Sequence, residues 1–132
     1  MDKLIGFLGK QPFILGDGAM GTMLQAAGLT TGGSPEEWNV TRPEVLKGIY
    51  QAYTDAGAQV ITTNTFGCNR FRLGLHNFEH RVAEFNLAAT SRAVLTAARL
   101  NSRTRSSKLC SPRRKRLQPN VLVVMTCAPA SV

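Results

Sequence analysis

The chain has 132 residues, enough for one domain but fewer than the roughly 250 residues of a closed eight-stranded βα barrel. Its net charge is +8, yet residues 1–99 hold nine basic and eight acidic residues, whereas 100–132 hold seven basic residues and no acid. The excess charge therefore belongs to the C-terminal segment and does not indicate an anionic partner for the whole fold.

The sequence also disfavours membrane and secreted proteins. No stretch reaches the roughly 18 apolar residues of a membrane span, and the first residues lack the apolar core of a signal peptide. The three cysteines are odd in number and widely spaced, which fits free thiols in a reducing compartment. We therefore expect a cytoplasmic protein.

The first third of the chain predicts a strand, a short helix and a loop. Residues 13–15 are an apolar run closed by Gly16, which is typical of a buried strand that opens into a loop. Residues 21–27 predict a short helix that Gly28 caps. The glycines and threonines of 28–42 then predict a long loop.

A helix, a strand and a second helix are predicted next. Pro43 and Glu44 suit a first helical turn, and apolar residues recur at helical spacing until Gly57. Residues 59–64 are rich in β-branched side chains, as in a parallel strand covered on both faces. The longest helical pattern runs over 79–100, with a stripe formed by Val82, Phe85, Ala89, Ala93, Thr96 and Leu100. This order predicts right-handed βα units.

The composition changes abruptly after residue 100. All glycines and aromatic residues precede it, and 101–118 is rich in Ser, Arg and Lys, a composition that cannot build a core. Residues 120–125 are the one later run apolar enough for a strand, and a further strand or an irregular segment are equally open. A shifted reading frame or a mispredicted gene end explains the change better than a functional tail, as a hypothesis.

The predicted fold is thus α/β, an incomplete (β/α)8 TIM barrel of which only the first βα units are present. These units occupy 1–100, and 101–132 form a basic, low-complexity, irregular tail. Polar residues follow both predicted strands, at 17–20 and at 64–66. Because the C-terminal ends of parallel strands carry the substrate in such barrels, the two segments predict a binding floor.

Several motifs in consistent order resemble the homocysteine S-methyltransferase family, which includes the homocysteine-binding barrel of cobalamin-dependent methionine synthases. The resemblance covers about Pro12 to about Leu100 and rests on Asp17-Gly-Ala-Met-Gly-Thr22, Pro35-Glu-Glu-Trp-Asn39, Pro43-Glu-Val45, Tyr53, Ala56-Gly-Ala58, Thr63-Asn-Thr-Phe-Gly67 and Glu84-Phe-Asn86. It implies methyl transfer to the thiol of homocysteine, which gives methionine. The implied donor is methylcobalamin, through other domains or proteins, or another methyl carrier.

The resemblance also implies zinc, which the family holds through one cysteine and an adjacent cysteine pair at later strand ends. A free thiol titrates near pH 8.5, and zinc coordination makes it the nucleophilic thiolate. Cys68, Cys110 and Cys127 include no adjacent pair and lie in no matching context, so no zinc ligand is carried over. We therefore expect a fragment that lacks the zinc site and is inactive alone.

The amino-acid-binding part of the family does carry over. By resemblance, the amino and carboxylate groups of homocysteine are held by Asp17, Gly18, Ala19, Met20, Asn64, Thr65 and Phe66. Glycine allows close backbone approach, Asp17 can accept from an ammonium, and Asn64 can both donate and accept. Taken singly, each residue is explained by a tight turn or by strand formation. Trp38 either anchors the long loop or contacts the ligand.

Two other functional classes remain open at this point. The string His76-Asn-Phe-Glu-His80 matches the HxxEH pattern of zinc peptidases and predicts a small zinc-binding, hydrolase-like protein through His76, Glu79 and His80. Alternatively, two surface histidines lie beside a glutamate at the start of a solvated helix. The basic residues Arg103, Arg105, Lys108 and Arg113-Arg-Lys-Arg116 predict phosphate contacts with nucleic acid, although the tail offers no aromatic residue for stacking.

Overall fold

The computed structural model describes residues 13–106 and 122–124. In chain order, its helices and strands are α1 (Met20–Ala26), α2 (Trp38–Thr41), α3 (Pro43–Asp55), β1 (Val60–Thr62), α4 (Arg70–Gly74), α5 (Val82–Ser106) and β2 (Leu122–Val124). Short 3₁₀ helices at Pro35–Glu37 and Glu79–Arg81 directly precede α2 and α5. The α/β class is confirmed. Within this part of the chain, no helix has the length and hydropathy needed to cross a membrane.

The sheet pairs β1 with β2 in parallel, and α4 and α5 lie between the two strands in the chain. Val60 lies opposite Leu122, and Thr62 lies opposite Val124. On its other edge, β1 receives a single parallel bridge from Gly16 to Val60. Segments that follow one another in the chain are therefore neighbours in the sheet, as in βα units. Of the two alternatives left open for 120–125, the strand is the one that forms, so the segment expected to be an irregular tail is not irregular throughout.

The buried first strand predicted at 13–15 is wrong. Within residues 13–16, only Gly16 forms a bridge to β1. The side chains of Phe13 and Leu15 are 69% and 49% exposed. The backbone of this segment is nevertheless held, because the Leu15 carbonyl accepts from the N–H groups of Gln59 at 2.7 Å and Val60 at 3.2 Å. A buried strand also needs cover on its faces, which the described residues do not give to Phe13.

The main hydrophobic core lies between α1, α3, β1 and α5. It is formed by Leu24, Trp38, Leu46, Ile49, Tyr50, Ala58, Ile61 and Ala93. A second cluster under α5 contains Cys68, Leu73 and Phe85. Four residues of the predicted stripe of α5 are buried, namely Phe85, Ala89, Ala93 and Thr96, whereas Val82 is half-buried. The core therefore packs β1 against α1 and α3, which precede it in the chain, and against α5, which follows it.

Helices α1, α3 and α5 and strand β1 confirm the predicted elements, with shifted bounds. Helix α3 starts at Pro43 and ends before Gly57, which adopts a φ of 110°. The predicted loop 28–42 was incomplete, because it contains a 3₁₀ helix and α2. Helix α4 was not predicted. Its N-cap is Asn69, whose side chain accepts from the N–H of Arg72 at 2.9 Å.

Candidate substrate floor at two strand ends

Asp17 joins the two strand ends that the sequence singled out. Its Oδ2 accepts from the backbone N–H of Thr62 at 2.7 Å, and its Oδ1 accepts from the Thr62 hydroxyl at 2.9 Å. The Asp17 N–H donates to the Val60 carbonyl at 2.9 Å. The half-buried carboxylate is thus oriented by the end of β1. An ionised carboxylate has about four acceptor positions, so capacity for a further donor remains.

Gly18 and Ala19 lie against Tyr53 of α3. A Cβ atom at Gly18 would lie 2.8 Å from Tyr53 Cε1, so any larger residue there would force the ring to shift. The Tyr53 hydroxyl donates to the Ala19 carbonyl at 3.0 Å. Gly18 and Ala19 are exposed, and Met20 is half-buried at the start of α1. The first strand end therefore presents exposed main chain that a helix side chain holds in place.

The Asn64 amide points away from solvent, toward the loop before α2. Its Nδ2 donates to the Pro35 carbonyl at 2.8 Å and to Asn39 Oδ1 at 3.2 Å. In return, Asn39 Nδ2 donates to the Asn64 carbonyl at 2.9 Å. Asn64 is 6% exposed and Asn39 is fully buried. The amide therefore links the loop to the strand end, and its expected contact with substrate stays a prediction.

Tyr50 contacts the same strand end from the main core. The backbone N–H of Asn64 donates to the Tyr50 hydroxyl at 3.2 Å. Burial raises the pKa of Tyr50 to about 12; the hydrogen bond from Asn64 opposes this rise and the negative charge of Asp17 adds to it. The phenol is therefore neutral at physiological pH, and its oxygen acts as a fixed acceptor for Asn64.

Thr65 and Phe66 face opposite ways. Thr65 is fully buried, and its hydroxyl lies 2.7 Å from that of Thr63. Phe66 is 66% exposed. The next residue, Gly67, donates its backbone N–H to Glu36 Oε1 at 2.9 Å. Of the residues predicted at the second strand end, only Phe66 thus reaches the surface.

The structure therefore brings the two predicted segments together, but with an unequal division of roles. Asp17, Gly18 and Ala19 offer a carboxylate and exposed main chain, whereas Asn64 and Thr65 are turned inward. The supporting residues that sequence reasoning did not assign to the site are Glu36, Asn39, Tyr50 and Tyr53. Glu36, Asn39 and Tyr53 belong to motifs that were recognised as part of the family pattern but not as supports for the strand end, and Tyr50 belongs to none of those motifs.

Trp38 belongs to this support. It is 7% exposed and packs in the main core. The Arg42 guanidinium lies over its ring, 4.7 Å from the centroid, in a cation–π contact. This placement favours the anchoring role over the ligand-contact role that the sequence left open.

A family model described as homocysteine S-methyltransferase matches residues 14–131. The chain belongs to the homocysteine S-methyltransferase family. The family match extends beyond residue 100, at which the resemblance of the motifs ends. The division of the chain at that residue stays a prediction.

Relatives of this homocysteine S-methyltransferase family member include two methionine synthases. That of Mycobacterium tuberculosis is 42% identical over 99 residues, which cover 70% of this chain and 8% of the relative. That of Mycobacterium leprae is 42% identical over 86 residues, which cover 61% of this chain and 7% of the relative. The chain thus spans less than a tenth of the length of these relatives.

A solved structure shows the same fold. The metallated homocysteine methyltransferase MmuM from Escherichia coli superposes with a TM-score of 0.74 at 21% sequence identity. The alignment covers 95% of this chain and 41% of that protein. At this identity the similarity establishes the fold and not the activity.

The described residues do not fit the zinc site that the family implies. Cys68 is 1% exposed in the second core cluster, and its thiol faces the Asn64 carbonyl at 3.9 Å. Within 13–106 and 122–124, no group of three His, Cys, Asp or Glu residues is placed to hold a metal. Cys110 and Cys127 lie outside the described residues.

The histidine motif does not form the arrangement that a zinc peptidase needs. His76 lies in a turn after α4, and His80 lies in the 3₁₀ helix Glu79–Arg81. The two histidines therefore do not face one side of a continuous helix. Of the basic residues considered for nucleic acid, Lys108 and 113–116 lie outside the described residues.

Proposed function

We propose that residues 17–20 and 64–66 form the amino-acid-binding floor of a homocysteine methyltransferase domain. The activity of such a domain is methyl transfer to the homocysteine thiol, which gives methionine. The observation that carries the proposal is the pair of hydrogen bonds from Thr62 to Asp17, because they hold the segment that follows Gly16 beside the end of β1. In this proposal, the α/β fold is the first part of an incomplete (β/α)8 barrel.

At the first strand end, Asp17 binds the ammonium group of homocysteine. Its two oxygens already accept from Thr62, which fixes their direction and leaves lone pairs for the ligand. Beside it, the exposed main chain of Gly18 and Ala19 is open to the ligand.

At the second strand end, the exposed ring of Phe66 contacts the methylene groups of the ligand. Asn64 and Thr65 hold the backbone from which Phe66 projects. The first end thus recognises the ammonium group of the substrate, and the second end recognises its methylene groups.

We further propose that the 132 residues alone do not catalyse methyl transfer. The supporting observation is that the family's adjacent cysteine pair has no counterpart among Cys68, Cys110 and Cys127. Zinc and a methyl donor, either cobalamin on another domain or protein or another methyl carrier, belong to the complete reaction. Methionine formation by the purified chain with zinc and a methylated donor, above the rate without protein, would overturn this part.

The binding proposal is tested by titrating the ¹⁵N-labelled full chain with L-homocysteine under reducing conditions. We expect the amide resonances of residues 17–20 and Phe66 to shift, and 2-mercaptoethanol, which has the thiol but neither amino nor carboxylate group, to leave them in place. Asp17→Asn should weaken binding, because an amide attracts an ammonium less than a carboxylate does. Asp55→Asn is the matched control, because Asp55 is exposed at the end of α3. Equal shifts with the thiol alone, or equal binding by Asp17→Asn, would contradict the proposal.

A further inference from the structure

Glu36 is a buried carboxylate in the loop before α2, and its partners are a hydroxyl and a backbone amide. It is 8% exposed. Its Oε2 accepts from the Ser34 hydroxyl at 3.1 Å, and its Oε1 accepts from the Gly67 N–H at 2.9 Å. Burying a carboxylate is costly, and strong hydrogen bonds to it offset that cost. The Gly67 amide is thereby held in one orientation.

The contact between Glu36 and Gly67 is also steric. A Cβ atom at Gly67 would overlap the Glu36 Oε1 atom and lie 2.9 Å from its Cδ. Gly67 is not among the residues with positive φ, so its backbone is one that alanine readily adopts. The requirement for glycine at this position therefore comes from Glu36 and not from the backbone conformation.

This contact holds one of the two chain neighbours of Phe66 at the second strand end. Thr65, on one side of Phe66, is fully buried and bonded to Thr63, and Gly67, on the other side, is fixed by Glu36. With both neighbours held, the ring of Phe66 is kept 66% exposed. A large apolar side chain held in water between two fixed residues is a preformed contact surface.

We infer that Glu36 is a positioning residue for this site, which orients Phe66 through the Gly67 amide. The inference rests on the proposed function, because the ligand is the homocysteine that Phe66 contacts there. Glu36 itself touches no substrate. It holds the backbone beside Phe66 in place before the ligand binds, so that binding has less chain to order.

Three variants of Glu36 separate the hydrogen bond from the charge. Glu36→Gln keeps the length and an acceptor oxygen, and it should bind L-homocysteine nearly as the unchanged chain does. Glu36→Asp keeps the charge but is one methylene shorter, and Glu36→Ala removes both. The last two should weaken binding about tenfold, which corresponds to about 1.4 kcal/mol. Glu37→Gln is the matched control, because Glu37 accepts the Thr41 hydroxyl through its backbone carbonyl, which the substitution keeps.

A spectroscopic readout distinguishes positioning from general loss of structure. The Gly67 amide resonance should move in Glu36→Asp and Glu36→Ala and change little in Glu36→Gln, while the amides of α3 stay in place. Unchanged affinity in both Glu36→Asp and Glu36→Ala, with binding intact in the unchanged chain, would refute the inference. Absence of binding by the unchanged chain would instead refute the proposed function.

The steric part has its own test. Gly67→Ala should destabilise the unchanged chain, and it should cost much less in the background of Glu36→Ala, where the added Cβ has room. In the background of Glu36→Gln the cost should persist, because the amide fills the same volume as the carboxylate. Additive effects of Gly67→Ala and Glu36→Ala on the free energy of unfolding would overturn the proposed contact.

Discussion

Tyr50→Phe removes one hydroxyl from the main core and leaves the ring. The Asn64 N–H then loses its acceptor at a residue that is 6% exposed. An unsatisfied buried donor costs about 1–3 kcal/mol, so the variant should be less stable than the unchanged chain by that amount at neutral pH.

The difference should shrink at high pH, and its size follows from the pKa of Tyr50. Burial, the largest cause, raises that pKa from 10.0 in the unfolded chain to about 12 in the folded one. The folded state thus holds its proton more tightly, so stability that is fully present below about pH 10 is lost as the pH rises toward 12. With these two values, the loss from Tyr50 is about 1.4 kcal/mol at pH 11 and about 2.3 kcal/mol at pH 12.

The assay is urea unfolding followed by far-ultraviolet circular dichroism, on both proteins, between about pH 8 and pH 11. Groups other than Tyr50 titrate in both proteins, so their contributions cancel in the difference. We expect the advantage of the unchanged chain to fall by about 1.4 kcal/mol across this range. A difference that stays constant with pH would refute the reasoning, because it would show that Tyr50 ionises equally easily in the folded and unfolded states.

Two further substitutions test the supports of the strand ends by the same unfolding measurement. Gly18→Ala should destabilise by about 1–3 kcal/mol, because the new Cβ displaces the Tyr53 ring, whereas Gly16→Ala, with no atom within 4 Å of its Cβ, should not. Equal effects of the two would contradict the steric reading. Asn39→Asp should cost about 1–3 kcal/mol, because it replaces the amide donor to the Asn64 carbonyl by a carboxylate oxygen. Stability equal to that of the unchanged chain would exclude a structural role for this amide pair.

The sequence predicted the long, periodic elements well. Helix α3 carries both its signals, Pro43 at the start and Gly57 after the end, and the stripe of α5 follows from side chains three and four residues apart. Helices α2 and α4 have four and five residues, which is too short for periodicity to show. The first strand failed for another reason, because the burial of Phe13 depends on cover from residues distant in sequence.

The positions of the candidate site were predictable, but the directions of its side chains were not. The motif at 63–67 identified Asn64 and Phe66 without showing that one points inward and the other outward. That difference depends on partners such as Pro35 and Glu36, which lie about 30 residues earlier in the chain. Residue types reveal what a group can bind, whereas only the packed fold selects the partner it does bind.

Three hydrogen bonds that shape the strand ends connect distant parts of the chain. Those of Asp17 with Thr62, Tyr53 with Ala19, and Glu36 with Gly67 span 45, 34 and 31 residues. Such contacts require the intervening chain to close into a loop, so the site depends on the tertiary fold and is not a local motif. Ligand affinity and global unfolding are therefore linked, and a ligand that binds this site should raise the melting temperature of the whole domain.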